Sequence, residues 1–276
     1  MKHREILRNV ADRWPAVAAA YRSVREEVHL LRMKPEPTAL GFQLAGYASM
    51  TNGTFEPVET ILLGEMIARA DCFIDVGANV GFYTCLARSL GKRVVSFEPL
   101  ERNVRVLYRN LEVNGWTDTE VWPIGLAESP AIVPLYGGGT GASLLRNWSG
   151  ASSAWRRSIA VNTLDTVLGD RLEGLRLAIK IDVEGAELGV LRGAMRTLTR
   201  EPKPEWLVEI TLTTHRSTMN ARFRETFELF WDRGYEAHGA DARTTPVTPT
   251  DIDRWIGAGG TGVPVYSWWF RPVGRR

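Results

Sequence analysis

The chain has 276 residues, 44% of them apolar, and a formal charge of +2 at pH 7. That length buries a full core without disulfide or metal staples, and the small, scattered positive charge gives no footprint for nucleic acid. No apolar run reaches the roughly 18 residues of a membrane span and the N-terminus lacks a signal-peptide stretch, so a cytoplasmic protein handling a small molecule or a glycan, without membrane insertion, is expected. The two cysteines, Cys72 and Cys85, fit buried reduced thiols better than a disulfide or a zinc site.

Residues 4–33 carry apolar side chains three and four apart, from Leu7 to Leu31, interrupted at Pro15. Two readings fit: a helix packed on its own domain, and a homodimer contact of coiled-coil spacing. Pro35 and Pro37 mark a linker, dividing the chain into a helical extension at 1–37 and a main domain at 38–276. Residues 39–55 alternate loosely around Asn52-Gly53, a hairpin-turn signal. Pro57 opens a helix to Arg69 that should bury Ile61, Leu62, Met66 and Ile67, with Glu56 just before it, where an acid favoured by the helix dipole is one reading and a ligand contact the other.

Asp71 to Val76 reads as a short buried strand and Phe82 to Leu90 as a helix, so Gly77 and Gly81 sit on a strand-to-helix turn. Such turns let a ligand approach main-chain N–H groups at a helix start. From the glycines alone, an ordinary tight turn is the alternative. Arg93 to Phe97 is a second strand, and Glu98 follows it at the offset of a ribose-binding acid. Asp75, at the tip of the first strand, would repel a pyrophosphate and welcome a cation. The segment 101–114 is helical, with Val104, Leu107, Tyr108 and Leu111 inward, and stops at Gly115.

A third strand over 119–126 ends at Ile124-Gly125, where an apolar slot suits a nucleobase. Residues 131–136 and 157–162 look like strands flanking a Gly/Ser-rich stretch. That stretch reads either as cover for a second substrate, with Ser143, Trp148, Trp155 and Arg156 as contacts, or as a hairpin that touches none. Thr163-Leu164-Asp165 opens a short helix to Leu168, with Thr163 or Asp165 in a capping role. In the segment 175–185, alternation puts Leu177, Ile179 and Ile181 on one face and Lys180, Asp182 and Glu184 on the other. Charges on a central strand are costly unless paired or functional, so a structural Lys180–Asp182 pair stands beside a functional reading. Glu187 opens the next helix as a first-turn acid, with Leu188, Leu191 and Met195 inward.

Residues 205–210 form a fifth strand containing Glu209, His215 follows in a loop, and a helix spans about 219–233. A last strand over 263–270 places Trp268 and Trp269 in the core.

Ile-Asp-Val-Gly-Ala-Asn-Val-Gly-Phe-Tyr-Thr at 74–84, Phe-Glu-Pro at 97–99 with Asn103, Thr-Leu-Asp at 163–165 and Ile-Lys-Ile-Asp-Val-Glu-Gly-Ala-Glu at 179–187 resemble the FkbM-family methyltransferases in order and spacing. The resemblance covers about residues 54–212. It implies an α/β, Rossmann-like class I methyltransferase sandwich, with a mixed seven-stranded sheet and helices on both faces. It also implies an S-adenosylmethionine-dependent O-methyltransferase acting on a hydroxyl of a sugar, glycan or secondary metabolite. That donor is phosphate-free and cationic, which suits the charges of Asp75 and Glu98. The resemblance places Glu56, Asp75, Gly77, Asn79, Gly81, Phe82, Glu98, Asn103, Gly125 and Asp182 at the cofactor. Asp182, Glu209 and His215, with Lys180 beside them, are the catalytic candidates at the strand ends. Hard oxygen ligands there would suit a divalent metal, but no metal is expected as a requirement. N-methylation of a peptide or amine and a non-catalytic nucleotide-binding role remain the alternatives.

Overall fold

The computed structural model describes residues 28, 32–137, 141–146, 148, 156–214, 218–241, 245–262 and 265–274. Apart from Val28, Arg32 and Met33, the helix expected over 4–33 lies outside the described residues, and the homodimer reading with it. Among the described residues, no helix is long and apolar enough to cross a membrane.

The main body opens with β1 (Glu36–Pro37) paired antiparallel to β2 (Gln43–Leu44), so Pro37 is a strand residue, not part of a linker. The hairpin turn falls at 38–42, where the Thr38 hydroxyl donates to the Phe42 carbonyl at 2.8 Å. Asn52-Gly53 instead closes α1 (Ala48–Thr51), because the Asn52 side chain is taken up by the Thr54 N–H and hydroxyl. Helix α2 (Pro57–Arg69) starts with proline at its first position and buries Leu62, Leu63, Met66 and Ile67. Ile61 is 67% exposed, contrary to expectation, because it lies across the helix axis from the middle of that stripe.

Strand β3 (Cys72–Val76), helix α3 (Phe82–Ser89), strand β4 (Arg93–Phe97), helix α4 (Glu101–Val113) and strand β5 (Glu120–Trp122) follow in alternation. Val104, Leu107 and Leu111 of α4 point inward as expected, but Tyr108 is 43% exposed. The inward place is taken by Asn110, whose amide bonds the Ala45 N–H and the carbonyls of Ala45 and Val80. The third strand is broken at Pro123, which has no N–H for the ladder. Its continuation, β6 (Gly125–Leu126), leaves the main sheet and pairs parallel to β8. Strands β7 (Ala131–Tyr136) and β8 (Arg156–Asn162) form the antiparallel hairpin expected there.

Thr163 caps α5 (Leu164–Leu168), and Asp165 caps a different helix, accepting from Arg196 N and Thr197 N. Strand β9 (Leu177–Ile181) leads to α6 (Glu187–Arg192) and α7 (Met195–Thr199). The single helix expected here is two, and Met195 is 36% exposed. At the break, a Cβ on Gly193 would sit 2.2 Å from the Ala127 carbonyl oxygen. Strand β10 (Glu205–Glu209) and α8 (Phe223–Trp231) match the expected elements with trimmed ends. Strand β11 (Tyr235–Gly239), strand β12 (Pro246–Val247) and helix α9 (Pro249–Ala258) are additions, the last held by a capping box of Thr248 and Asp251. Strand β13 (Ser267–Pro272) completes the sheet and buries Trp268 and Trp269.

The main sheet runs β12-β11-β13-β10-β9-β3-β4-β5. Strands β10, β9, β3, β4 and β5 are parallel, and β13 enters antiparallel between β10 and β11. The two-residue edge strand β12 makes eight strands where seven were expected. The sheet is doubly wound, and its strand order reverses between β3 and β9, the place where such sheets open a crevice. One face packs Ile74, Ile179, Trp206 and Val208 against α5, α6 and α8, and the other packs Phe73, Ala178 and Leu207 against α2, α3 and α4. Leu63→Ala should therefore cost about 2–5 kcal/mol in a urea unfolding titration, whereas Ile61→Ala should stay within about 0.5 kcal/mol of wild type.

Candidate active site

The carboxyl ends of β3, β4, β9 and β10 enclose a cavity of about 360 Å³. Its floor is set by a close approach: Asp182 N donates to the Val76 carbonyl at 3.0 Å, and a Cβ on Gly77 would lie 1.9 Å from the Asp182 carbonyl oxygen. Gly77 is also at φ +85°, so both space and backbone conformation demand glycine there. The wall carries five carboxylates, those of Glu56, Glu98, Asp182, Glu184 and Glu209, and among the described residues no lysine or arginine lines it. Phe97, Ile124, Gly125, Leu126 and Ile159 make an apolar end.

Glu98 is held from three sides. Its Oε2 accepts from Asn79 N at 2.8 Å, and its Oε1 accepts from Leu100 N at 2.9 Å and from the Asn103 amide at 3.2 Å. Burial pushes its carboxyl up to about 7, against the pull of those donors. Asn79 and Gly125 are on the cavity wall, but Asn103 is not; it acts by orienting Glu98. Gly81 and Phe82 also lie off the wall. Gly81 precedes α3 with φ +89° and its missing Cβ makes room for Leu107, while the Phe82 ring packs edge-on to Phe55 and Tyr83.

Asp75 departs furthest from expectation. Alternation along β3 sends Val76 to the cavity, with Gly77 following on the turn, and directs Asp75 into the layer beneath it, where it is buried and its Oδ2 accepts from Thr84 Oγ1 at 2.6 Å. Burial raises its pKa, with the charge of Lys180 opposing. Asp75 thus lies beside its register partner Lys180 and off the cavity wall. Glu56 reaches the cavity from the start of α2 in a left-handed conformation, φ 39°, and makes no side-chain cap bond to that helix. Its Oε2 accepts from the Tyr83 hydroxyl at 2.6 Å.

Asp182 and Glu209 end neighbouring strands on the cavity wall, one step beyond the Ile181–Val208 pair. The Asp182 charge, followed by burial, raises the pKa of Glu209. Lys180 is buried behind the wall. Burial alone would drive off its proton, but the carboxylates of Asp182, Glu56 and Asp75 more than offset this and its pKa is raised. Its Nζ bonds Asp182 Oδ2 at 2.8 Å, which makes it a partner of Asp182 and sets it out of direct reach of the cavity. His215 and Trp155 lie outside the described residues.

Beyond β9 the chain turns sharply instead of continuing the expected strand alternation. Glu184 is left-handed, and Gly185 lies so close to Trp148 that a Cβ would come within 2.4 Å of the indole. Ser143 Oγ donates to the Glu184 carbonyl at 2.5 Å. Ser143 and Trp148, two of the four residues foreseen as substrate contacts, are therefore spent on this turn; Ala142 and Leu144 line the cavity in their stead, and Arg156 is exposed. Tyr83 was not singled out from the sequence. Its only signal there was its place in the first turn of the helix after the glycine turn.

Among the described residues, no group of three His, Cys, Asp or Glu is arranged to hold a metal ion. The family model described as the methyltransferase FkbM domain matches residues 75–237, more than half of the chain. No curated protein matches it significantly. Among solved structures, an O-methyltransferase from Bacillus cereus in complex with SAH is 13% identical, with 96% of each chain covered and a TM-score of 0.45. Fibrillarin from Aeropyrum pernix, with natively bound S-adenosyl-L-methionine, is 13% identical over 78% of this chain and 73% of that one, at a TM-score of 0.40. A SAM-dependent methyltransferase from Agrobacterium tumefaciens is 10% identical over 86% and 68%, at 0.44.

Glu187, buried behind the turn, accepts from Gly185 N at 2.7 Å, and burial pushes its carboxyl up to about 8 from an ordinary 4.5. Between those values the folded chain keeps a proton that the unfolded chain gives up, so stability falls as pH rises through this window, with Glu98 adding to the fall up to about 7. Glu187→Gln keeps an acceptor for the Gly185 N–H and cannot ionise. Thermal unfolding followed from pH 5 to 8 should show a decline in the wild type that is shallower in this variant, by up to about 1.4 kcal/mol per pH unit.

Proposed function

The chain belongs to the methyltransferase FkbM domain family, and from that premise we propose that it transfers a methyl group from S-adenosylmethionine to a hydroxyl of a sugar, glycan or secondary metabolite. The observation that carries this reading is the cavity's charge: five carboxylates and no lysine or arginine among the described lining residues, beside a glycine turn that admits close approach. Such a wall repels a pyrophosphate and accepts a cation.

When bound, the donor supplies an electrophilic methyl group on a sulfonium. Glu98, fixed by Asn79, Leu100 and Asn103, would hold the ribose hydroxyls, and the apolar end around Phe97, Ile124 and Leu126 would take the base. Glu56 would face the cationic end of the methionine moiety. Placing the acceptor and excluding water can supply ~7–11 kcal/mol of the barrier. Asp182 is the group we assign to the acceptor proton. Lys180 occupies its Oδ2, leaving Oδ1 to take the proton from the hydroxyl, a contribution worth typically ~100- to 10,000-fold. Glu209, with its pKa raised by Asp182, keeps its proton beside that base and can donate to a substrate oxygen. The same acidic wall favours one second reading, N-methylation of an amine, in which an ammonium acceptor is drawn to Asp182, gives up a proton there and takes the methyl group on the lone pair so freed.

Isothermal calorimetry should show S-adenosylmethionine binding and no binding of NAD. Glu98→Ala should weaken the donor by about 10- to 100-fold, as for loss of hydrogen bonds to a charged group. On a panel of hydroxyl and amine acceptors, mass spectrometry should find methyl transfer to hydroxyls, and Asp182→Asn should lower kcat by at least about 100-fold with donor affinity kept. Transfer confined to amines would favour the second reading.

A further inference from the structure

At and just behind the cavity wall, four side chains from separate stretches of the chain form one connected line: Glu56 before α2, Tyr83 on α3, Lys180 on β9 and Asp182 beyond it. The Tyr83 hydroxyl donates to Glu56 Oε2 at 2.6 Å, Lys180 Nζ lies 4.9 Å from the centre of the Tyr83 ring, and the same ammonium bonds Asp182 at 2.8 Å. Tyr83 is buried and off the cavity wall, so a substrate cannot be its partner directly. We propose that Tyr83 is a positioning residue that fixes the Glu56 carboxylate as the contact for the donor's cationic end. This rests on the reading of the cavity as the donor site.

Three observations support the assignment. Glu56 adopts a left-handed backbone rare for a residue with a side chain, a strain that persists only where the surroundings impose it. Its carboxylate does not cap α2, the ordinary use of an acid at that place, and goes to Tyr83 instead. The phenol ring packs against the Phe55 and Phe82 rings, with centroids at 6.1 and 5.0 Å, so its hydroxyl is aimed by packing.

The arrangement has an electrostatic consequence. Burial raises the pKa of Glu56, and the charge of Lys180 and the Tyr83 hydrogen bond both oppose that rise. The groups that face Glu56 are Lys180 on β9, Asp182 beyond it, Tyr83 on α3, Glu59 on α2 and Glu209 at the end of β10. Burial and the neighbouring Glu56 keep Tyr83 protonated well above its usual range, so it stays a donor throughout the accessible pH range. Removing the hydroxyl takes away a stabiliser of the charged carboxylate, and Glu56 should then take up its proton at higher pH.

The test measures S-adenosylmethionine affinity by calorimetry from pH 5 to 9 for wild type, Tyr83→Phe, Glu56→Gln and the double variant, with thermal melts to confirm folding. The expected result is that Tyr83→Phe weakens the donor about tenfold at pH 7 and moves the acid-side loss of affinity to higher pH. In the Glu56→Gln background the same change should do nothing further. Glu56→Asp, which draws the carboxylate away from the phenol, should copy the shifted acid limb. Glu98 titrates alike in all five proteins and cancels from the comparison. Equal weakening by Tyr83→Phe with and without Glu56, or an unmoved acid limb, would overturn the positioning role while leaving the donor site intact. A wild-type protein that binds no donor at any pH would overturn the site reading itself, and the proposal with it.

Discussion

Everything at the functional end of this molecule depends on how closely two strand ends approach each other. Asp182 N bonds the Val76 carbonyl, and the Asp182 carbonyl oxygen occupies the space where a side chain at 77 would begin. This contact lies at the reversal point of the sheet and sets the cavity floor. Glu98 on one side and Asp182 with Glu209 on the other are placed relative to it. A methyl group at 77 would part the strands and separate the acids that the sheet brings together.

The second constraint is charge. Five carboxylates line one cavity, and two further acids, Asp75 and Glu187, are buried behind it. Self-repulsion on this scale is tolerated because Lys180 is surrounded by Asp182, Glu56 and Asp75, and because backbone N–H groups feed Glu98 and Glu187. The remaining excess is met by raised pKa values at Glu98, Glu187 and Glu209. A cationic ligand would relieve the same repulsion, which is why the wall's composition speaks to the class of ligand more directly than any single residue does.

Much of this was legible in the sequence, for reasons that can be traced residue by residue. The glycine turn, Glu98 and the strand carrying Lys180 and Asp182 are local patterns whose spacing reports directly on strand ends. Asp75 was misplaced because motif position ignored the two-residue alternation that sends Val76 upward and its neighbour down. Ile61 and Tyr108 were misplaced because an apolar or aromatic residue near a helical stripe was counted into it, while Asn110, a polar residue with three buried partners, holds the true inward position. The Tyr83–Glu56 bond spans 27 positions and depends on a strained backbone that no propensity announces. Ser143 and Trp148 were singled out as substrate contacts in a Gly/Ser-rich stretch, but both are taken up within the protein, because their partners, Glu184 and Gly185, are set by tertiary packing alone.

The break at Pro123 gives the molecule a division of labour. Glu98, Asp182 and Glu209 stand at strand ends of the eight-stranded frame, whereas β6, β7 and β8 form a separate three-stranded sheet that contributes Gly125, Leu126, Leu135 and Ile159 to the cavity. Among the described residues the hairpin shares no ladder hydrogen bonds with the frame, so its length and composition are free to drift without shifting the register of the strands that carry Glu98 and Asp182. Evolution, or a designer, can recast one wall of the cavity as an exchangeable part while the rest of the enzyme stays as built.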